Sequence, residues 1–304
     1  MKRNDAMPMN VQEIQVSTAG MDVVVGRDNR RIGGILQQEG RLSAGDIERV
    51  MALQHLEGLR FGDAALRLGL IDAHDLHGAI AKQYDLPHLL PGNDSISDEL
   101  VIAREPFHPR AEELRALRTQ LMIRWSKAGI KRRVLAIVSP GPEEGRSYIA
   151  ANLAVAFAQL GERTLLIDAD LRKPRQHLVF NVSDRFGLSA VLSGRADSSA
   201  VAPVQEFGSL SVLPAGAIPP NPQELLSRLS LAVLLHELRG KFDVILLDTA
   251  PARAYADAQA VVFRAGSALV VARKDGTRLA DTKGVIRELG DMGARIVGTV
   301  LNAF

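Results

Sequence analysis

The chain has 304 residues, 46% of them hydrophobic and 24% charged, which is enough for two domains with separate cores. It has no cysteine, so disulfides and thiolate metal sites are excluded. A net charge of +2 makes no case for a nucleic-acid polymer, and none is expected as a partner. No apolar run approaches the ~20 residues of a membrane span. The chain is expected in the cytoplasm, with any attachment to the inner membrane made through a partner.

Residues 1–28 lack the apolar core of a signal peptide and read as a disordered leader. A repeat follows, in which Arg31–Gln54 (RIGGILQQEGRLSAGDIERVMALQ) aligns with Arg60–Gln83 (RFGDAALRLGLIDAHDLHGAIAKQ). Arg31/Arg60, Gly33/Gly62, Gly40/Gly69, Leu42/Ile71 and Gln54/Gln83 correspond. Each unit reads as two short helices. The first ends at a glycine (Gly40, Gly69), where a left-handed cap carries no Cβ penalty, and the second starts after Ser43 or Asp72. Ile47 with Met51, and Leu76 with Ile80, are spaced to give each second helix one buried face. A ligand-free docking module of two helix pairs satisfies this pattern.

The repeat also resembles the MshEN domain found at the N-terminus of type II secretion and pilus-assembly ATPases, some of which bind cyclic di-GMP. That family has two 24-residue units separated by five residues, and here the spacer is His55–Leu59. The resemblance implies a cyclic di-GMP site on Arg31, Gly33, Gln54, Arg60, Gly62 and Gln83. Ile32, Phe61 and Ala65 stand where the family has leucine, which alters the apolar walls.

Leu89–Ser95 is turn-rich and marks the end of a first domain spanning 29–92, followed by a linker, 93–109. A helix is expected over Arg110–Ser126, in a stretch where nine basic residues face three acidic ones between Arg104 and Arg133. A solvated face accounts for that excess, and a membrane-surface or nucleic-acid patch is the alternative. The only tryptophan, Trp125, lies on this helix and is expected to report assembly by fluorescence.

From 110 to 304 the pattern alternates strands and helices. Val134–Val138 is an apolar, β-branched run that breaks at Ser139-Pro140-Gly141-Pro142. Gly145-Arg146-Ser147 then opens a helix rich in alanine, leucine and valine. Strand, glycine loop and helix N-terminus form an anion cradle, because the unpaired N–H groups of the first turn point into the loop. This is a phosphate-binding loop in which Gly141, Pro142, Glu143, Glu144, Gly145, Arg146, Ser147 and Tyr148 surround the anion, with Ser147 placed for Mg²⁺. Arg146 replaces the usual lysine; it keeps the charge but is longer and forked. By itself the motif is also met by a helix capped at Ser147.

Downstream, Arg163–Asp170 (RTLLIDAD) is an apolar strand ending in two acids, Asp168 and Asp170. Phe242–Asp248 (FDVILLD) runs into Thr249-Ala250-Pro251, with Asp248 at the strand end. Such carboxylates beside a phosphate loop suit metal binding (Ser147, Asp168, Asp248) and activation of a hydroxyl or water (Asp168, Asp170). Capping of the loops after each strand is the other reading. Ala268–Ala272 and Arg295–Leu301 complete the strands, and Asn302 follows the last one. The expected class is α/β, a mostly parallel sheet flanked by helices, preceded by a small all-α domain.

The part from Pro106 onward resembles the bacterial tyrosine kinases (BY-kinases) of exopolysaccharide export, P-loop NTPases of the MinD/Mrp type. The residues that carry it are the E-x-x-R-x-x-R helix (Glu112, Arg115, Arg118), VSPGPEEGRS, LLIDADLRKP, GLSAVLSG (187–194), LPAGAIPPNPQELL (213–226) and VILLDTAP. The resemblance implies ATP and Mg²⁺ as cofactors, with Arg146, Asp168, Asp170 and Asp248 catalytic and Asn302 reading adenine. It implies homo-oligomers joined through Glu112, Arg115 and Arg118, and a membrane chain-length determinant (polysaccharide co-polymerase) as partner. Two departures stand out. Glu143 occupies a place where glycine is common, and the sequence carries no tyrosine cluster at its end, only Tyr84, Tyr148 and Tyr255. A tyrosine kinase and a weakly catalytic ATP-dependent switch are therefore both open. A partition-type ATPase is the weaker third, because Gly141 stands where that class has its signature lysine.

Overall fold

The computed structural model describes residues 31–84, 89, 96–129 and 133–303. The expected leader lies outside them, as does the turn-rich stretch apart from Leu89. The chain divides into two compact units that part between Ala79 and Ile80.

The first unit is helical: α1 (Ile32–Gln38), α2 (Ala44–Glu57), α3 (Phe61–Arg67) and the start of α4 (Ala73–Gln83). The repeat read from sequence is a repeat of structure. Gly40 and Gly69 take φ of 69° and 65°, the left-handed conformation that stops α1 and α3. Ser43 and Asp46 form a reciprocal capping box at the start of α2, and Asp72 and Asp75 exchange the equivalent bonds before α4. The expected buried pair on α2 fails: Met51 is 47% exposed. The inward side runs through Ile47, Val50 and Gln54 instead, an i, i+3, i+7 stripe centred on the fully buried Val50.

The second unit holds α5 (Val101–Arg104), α6 (Pro109–Lys127), β1 (Arg133–Val138), α7 (Arg146–Gln159), β2 (Thr164–Asp168), α8 (Gln176–Val179), α9 (Leu188–Leu192), β3 (Ala202–Pro203), β4 (Leu210–Leu213), α10 (Pro222–Ser227), α11 (Leu229–Leu238), β5 (Val244–Asp248), α12 (Asp257–Ala265), β6 (Ser267–Arg273), α13 (Leu279–Asp291) and β7 (Arg295–Asn302). The sheet order is β3-β4-β2-β5-β1-β6-β7. All pairs are parallel except β3 with β4. Alternation along each strand feeds two cores. Leu135, Ile137, Leu166 and Leu246 pack with Trp125 and Phe157 on one face of the sheet. Val134, Ala136, Leu165, Leu247, Leu234 and Val261 pack on the other. Strands buried on both faces explain why these runs are almost wholly apolar.

Helix α6 starts with proline at its first turn, and His108 Nδ1 accepts from the Arg110 N–H. Trp125 is 1% exposed, with its ring 5.6 Å from that of Phe157 in α7. It is a core residue of the α6–α7 contact and so reports unfolding rather than assembly. Arg118 donates to the Ala156 carbonyl at 2.9 Å, which ties the same two helices together.

Candidate functional site

β1 and β5 are central neighbours, and β2 flanks β5, so the three strand ends carrying functional groups lie side by side. Asp168 and Asp248 are paired in register across β2 and β5. The loop after β1 delivers residues 139–147 to the same edge. Gln176, at the start of α8, joins these parts. Its backbone N–H donates to Asp168 Oδ2 at 2.9 Å. Its side-chain amide donates to Asp248 Oδ2 at 2.8 Å and to the Ser147 carbonyl at 3.2 Å. Asp168, Asp248 and the main-chain carbonyl of Ser147 are thus gathered around one buried residue.

The acids differ in how they are used. Asp168 accepts backbone N–H bonds from Asp170 (3.2 Å), Arg175 (3.0 Å) and Gln176. Burial, reinforced by the charge of Asp248, still holds its pKa well above the usual carboxylate range. Asp170 lies just past the strand, and its Oδ1 accepts the N–H groups of Arg172 and Lys173 at 3.1 and 3.0 Å. The capping expected of strand-end acids is therefore real at both. Asp248 is also raised by burial, opposed by the Arg146 charge. Its Oδ1 is buried and has no hydrogen-bond partner.

Arg146 is 7% exposed. Its Nε donates to the Thr249 carbonyl, and its Nη1 donates to Ser139 Oγ at 2.6 Å and more distantly to the Gly141 carbonyl at 3.5 Å. Its Nη2 reaches Asp170 Oδ2 at 3.3 Å, and its Nε lies 3.7 Å from Asp248 Oδ1. Gly145 takes φ 87° ahead of α7. Glu143 is exposed yet adopts φ 57°, the left-handed region where a side chain is strained. Pro142 is exposed beside it, and Tyr148 is half-buried. Burial raises the Tyr148 phenol above its usual value.

Glu144 bends back over the loop. Its carboxylate accepts from the Gly141 N–H at 2.9 Å and from the Thr277 hydroxyl at 2.6 Å, while its carbonyl accepts from the Asn302 amide at 3.2 Å. Asn302 is buried as the last residue of β7 and holds the loop. An open cleft of about 1530 Å³ runs over this assembly, lined among others by Glu143, Ser147, Asp170, Tyr255, Arg273 and Asn302. Arg172, which also lines it, makes two bonds to the fully buried Asp257, 2.7 and 3.0 Å, and lies 3.9 Å over the Tyr255 ring.

Gln176, Thr277 and Asp257 carry no sequence signal, and Arg172 sits inside the LLIDADLRKP motif without announcing its partner. Each acts across tens of residues, as Thr277 does on Glu144 133 positions away. Ser139 and Thr249 sit inside recognisable motifs, but their bonds to Arg146 follow only from the fold.

The residues matched to the oligomer helix lie on α6, where Arg115 pairs with Glu112 at 3.1 Å and Arg118 is committed to Ala156. In the helical repeat, Arg31 and Arg60 hold matching extended positions before α1 and α3, with φ of −85° and −74°. A Cβ on Gly33 would meet Phe61 Cζ at 2.9 Å, and one on Gly62 would meet Leu76 Cδ1 at 2.6 Å. A side chain at either position would have to displace the Phe61 ring or the Leu76 side chain, so both glycines serve the helix packing. Gln54 and Gln83 are half-buried.

A family model described as cellulose biosynthesis protein BcsQ matches residues 135–280. The tyrosine-protein kinase YwqD of Bacillus subtilis (strain 168) is 34% identical over 203 residues, 67% of this chain and 85% of that one. EpsB of Ralstonia solanacearum is 34% identical over 204 residues, 67% of this chain, and there the matched part spans only 27% of the relative. The solved kinase domain of the Escherichia coli tyrosine kinase ETK is 31% identical with a TM-score of 0.64, covering 67% of this chain and 79% of that one. The chain belongs to the BY-kinase family, the bacterial tyrosine-protein kinases built on a P-loop NTPase of the MinD/ParA type.

Proposed function

We propose that this chain binds ATP in the cleft over Gly145–Ser147 and regulates exopolysaccharide biosynthesis as a protein-tyrosine kinase. The convergence of Ser147, Asp168 and Asp248 on Gln176 supports this most directly, because it joins a phosphate loop to acids at adjacent strand ends. The loop amides receive the phosphates, and Asn302 steadies the loop from the side where adenine is expected. Mg²⁺ fits this donor set. It keeps most of its waters and needs only one or two protein oxygens, and Asp248 Oδ1 is buried without a hydrogen bond, 3.7 Å from the Arg146 Nε. Ser147 and Asp248 are the residues that would hold it, with Asp168 nearby, and it would supply positive charge to neutralise the phosphates. Asp170 is the group placed to take a proton from an acceptor hydroxyl, once its bond to Arg146 loosens.

The commitment of Arg146 to Asp170 favours a second reading, a slow or non-catalytic switch that acts by assembly with a membrane chain-length determinant. Among the described residues no helix is long and apolar enough to cross a membrane, and a partner would supply the attachment to a cytoplasmic protein. Glu112, Arg115 and Arg118 would serve homo-oligomer contacts. Incubation with γ-labelled ATP and a tyrosine-containing acceptor polymer separates the readings. Covalent label that Asp170→Asn abolishes supports the kinase. Nucleotide binding without label on this chain or the acceptor leaves the switch.

For the helical repeat we propose an MshEN-type domain that senses cyclic di-GMP through Arg31, Gly33, Gln54, Arg60, Gly62 and Gln83. The matching conformations before α1 and α3 support a two-fold ligand. Calorimetry should show micromolar binding that Arg31→Ala or Arg60→Ala weakens by about tenfold or more. Absence of heat with the unmodified chain would leave a docking module.

A further inference from the structure

Arg146 occupies the place of the lysine in a phosphate loop, yet its donors face the protein. A guanidinium has five N–H groups in a fixed fork. Four of them are used here, by the Thr249 carbonyl, Ser139 Oγ, the Gly141 carbonyl and Asp170 Oδ2. The acceptors are themselves fixed. Thr249 Oγ1 donates to the Ile137 carbonyl at 2.8 Å, and Ser139 Oγ donates to the Gly141 carbonyl at 2.8 Å. The guanidinium therefore lies in the floor of the site, among Asp170, Asp248 and the loop, with its side chain only 8% exposed. A lysine offers three donors from one point and cannot meet these separated acceptors together.

Three carboxylates are buried at these strand ends: Asp170 lines the cleft, Asp248 lies 3.7 Å from Arg146 Nε, and Asp168 is paired in register with Asp248. A triphosphate arriving over them is repelled unless a cation intervenes. In a site of this kind the divalent ion ordinarily plays that part, bridging acid and phosphate. Here a fixed positive charge is already in place beside two of the acids. It lowers the repulsion met by a metal-free triphosphate, and it opposes an incoming divalent ion.

We propose that Arg146 is a built-in counter-cation of the acid cluster, so that this chain holds a nucleoside triphosphate nearly as well without Mg²⁺ as with it. The inference rests on the nucleotide reading of the cleft and adds how charge is balanced there. Its consequence is a separation of binding from chemistry. Binding is independent of the divalent ion, while any transfer step still draws on it.

The test is a titration of the full chain with a fluorescent ATP analogue, in millimolar Mg²⁺ and in EDTA. The unmodified chain should change affinity by less than about threefold between the two, and Arg146→Lys should lose about tenfold or more in EDTA. Ser139→Ala, which removes the 2.6 Å bond, should move the ratio in the same direction and decides the matter if the lysine variant does not fold. A loss of about tenfold in EDTA for the unmodified chain overturns the proposal while leaving the nucleotide site intact. No saturable binding in either buffer removes the site itself and the proposal with it.

Discussion

Glu144 shows how much of the phosphate loop is held by single polar contacts. Its carboxylate joins the Gly141 N–H to the Thr277 hydroxyl inside a largely buried pocket. Thr277→Val leaves one carboxylate oxygen unpaired, so it should cost about 1–2 kcal/mol in denaturant unfolding and weaken nucleotide binding. Glu143 works the other way. Its φ of 57° is one a side chain resists, and Glu143→Gly should raise stability by roughly 0.5–1 kcal/mol, seen as a higher urea midpoint. Asp168 gives a pH signature. Burial and Asp248 raise its pKa, so above the unfolded value of 3.8 the folded chain retains a proton that the unfolded chain has lost. Stability from this group therefore falls as pH rises from 3.8 through the raised value. Asp168→Asn should flatten that fall in unfolding curves measured across the window, and an unchanged slope would contradict the assignment.

At the scale of elements, the contact between α6 and α7 depends on Trp125 and Arg118. Trp125→Ala empties a site that is 1% exposed and should cost about 3–5 kcal/mol, read from thermal or denaturant unfolding. The strands of the sheet interior were legible from sequence because both of their faces are buried, leaving unbroken apolar runs that end in polar turns. The edge pair β3 and β4 was not. It is two and four residues long, and β3 includes Pro203, so neither length nor composition announces a strand. The helical repeat was legible through its glycine stops and caps, whereas the facing of α2 was not. Spacing allowed either Met51 or Val50 to turn inward, and packing within the unit chose Val50. Gly187 is a further element-scale constraint, since a Cβ there would come within 2.3 Å of the Pro214 carbonyl oxygen.

For the whole molecule, the parallel order of the sheet turns scattered motifs into one site. Asp168, Asp170 and Asp248 could be singled out from sequence because each acid ends an apolar strand near the phosphate loop, although the same position also serves to cap the loop that follows, as Asp168 and Asp170 do. Gln176 and Thr277 could not, since their partners come from distant segments meeting at one sheet edge. The central claim is that the amides from Gly145 to Ser147 enclose the phosphates of ATP. Amide hydrogen exchange over residues 141–148, with and without saturating ATP, tests it most directly. The account predicts that exchange in this loop slows by about tenfold or more while α13 is unaffected. An unchanged loop at saturating ATP would contradict it.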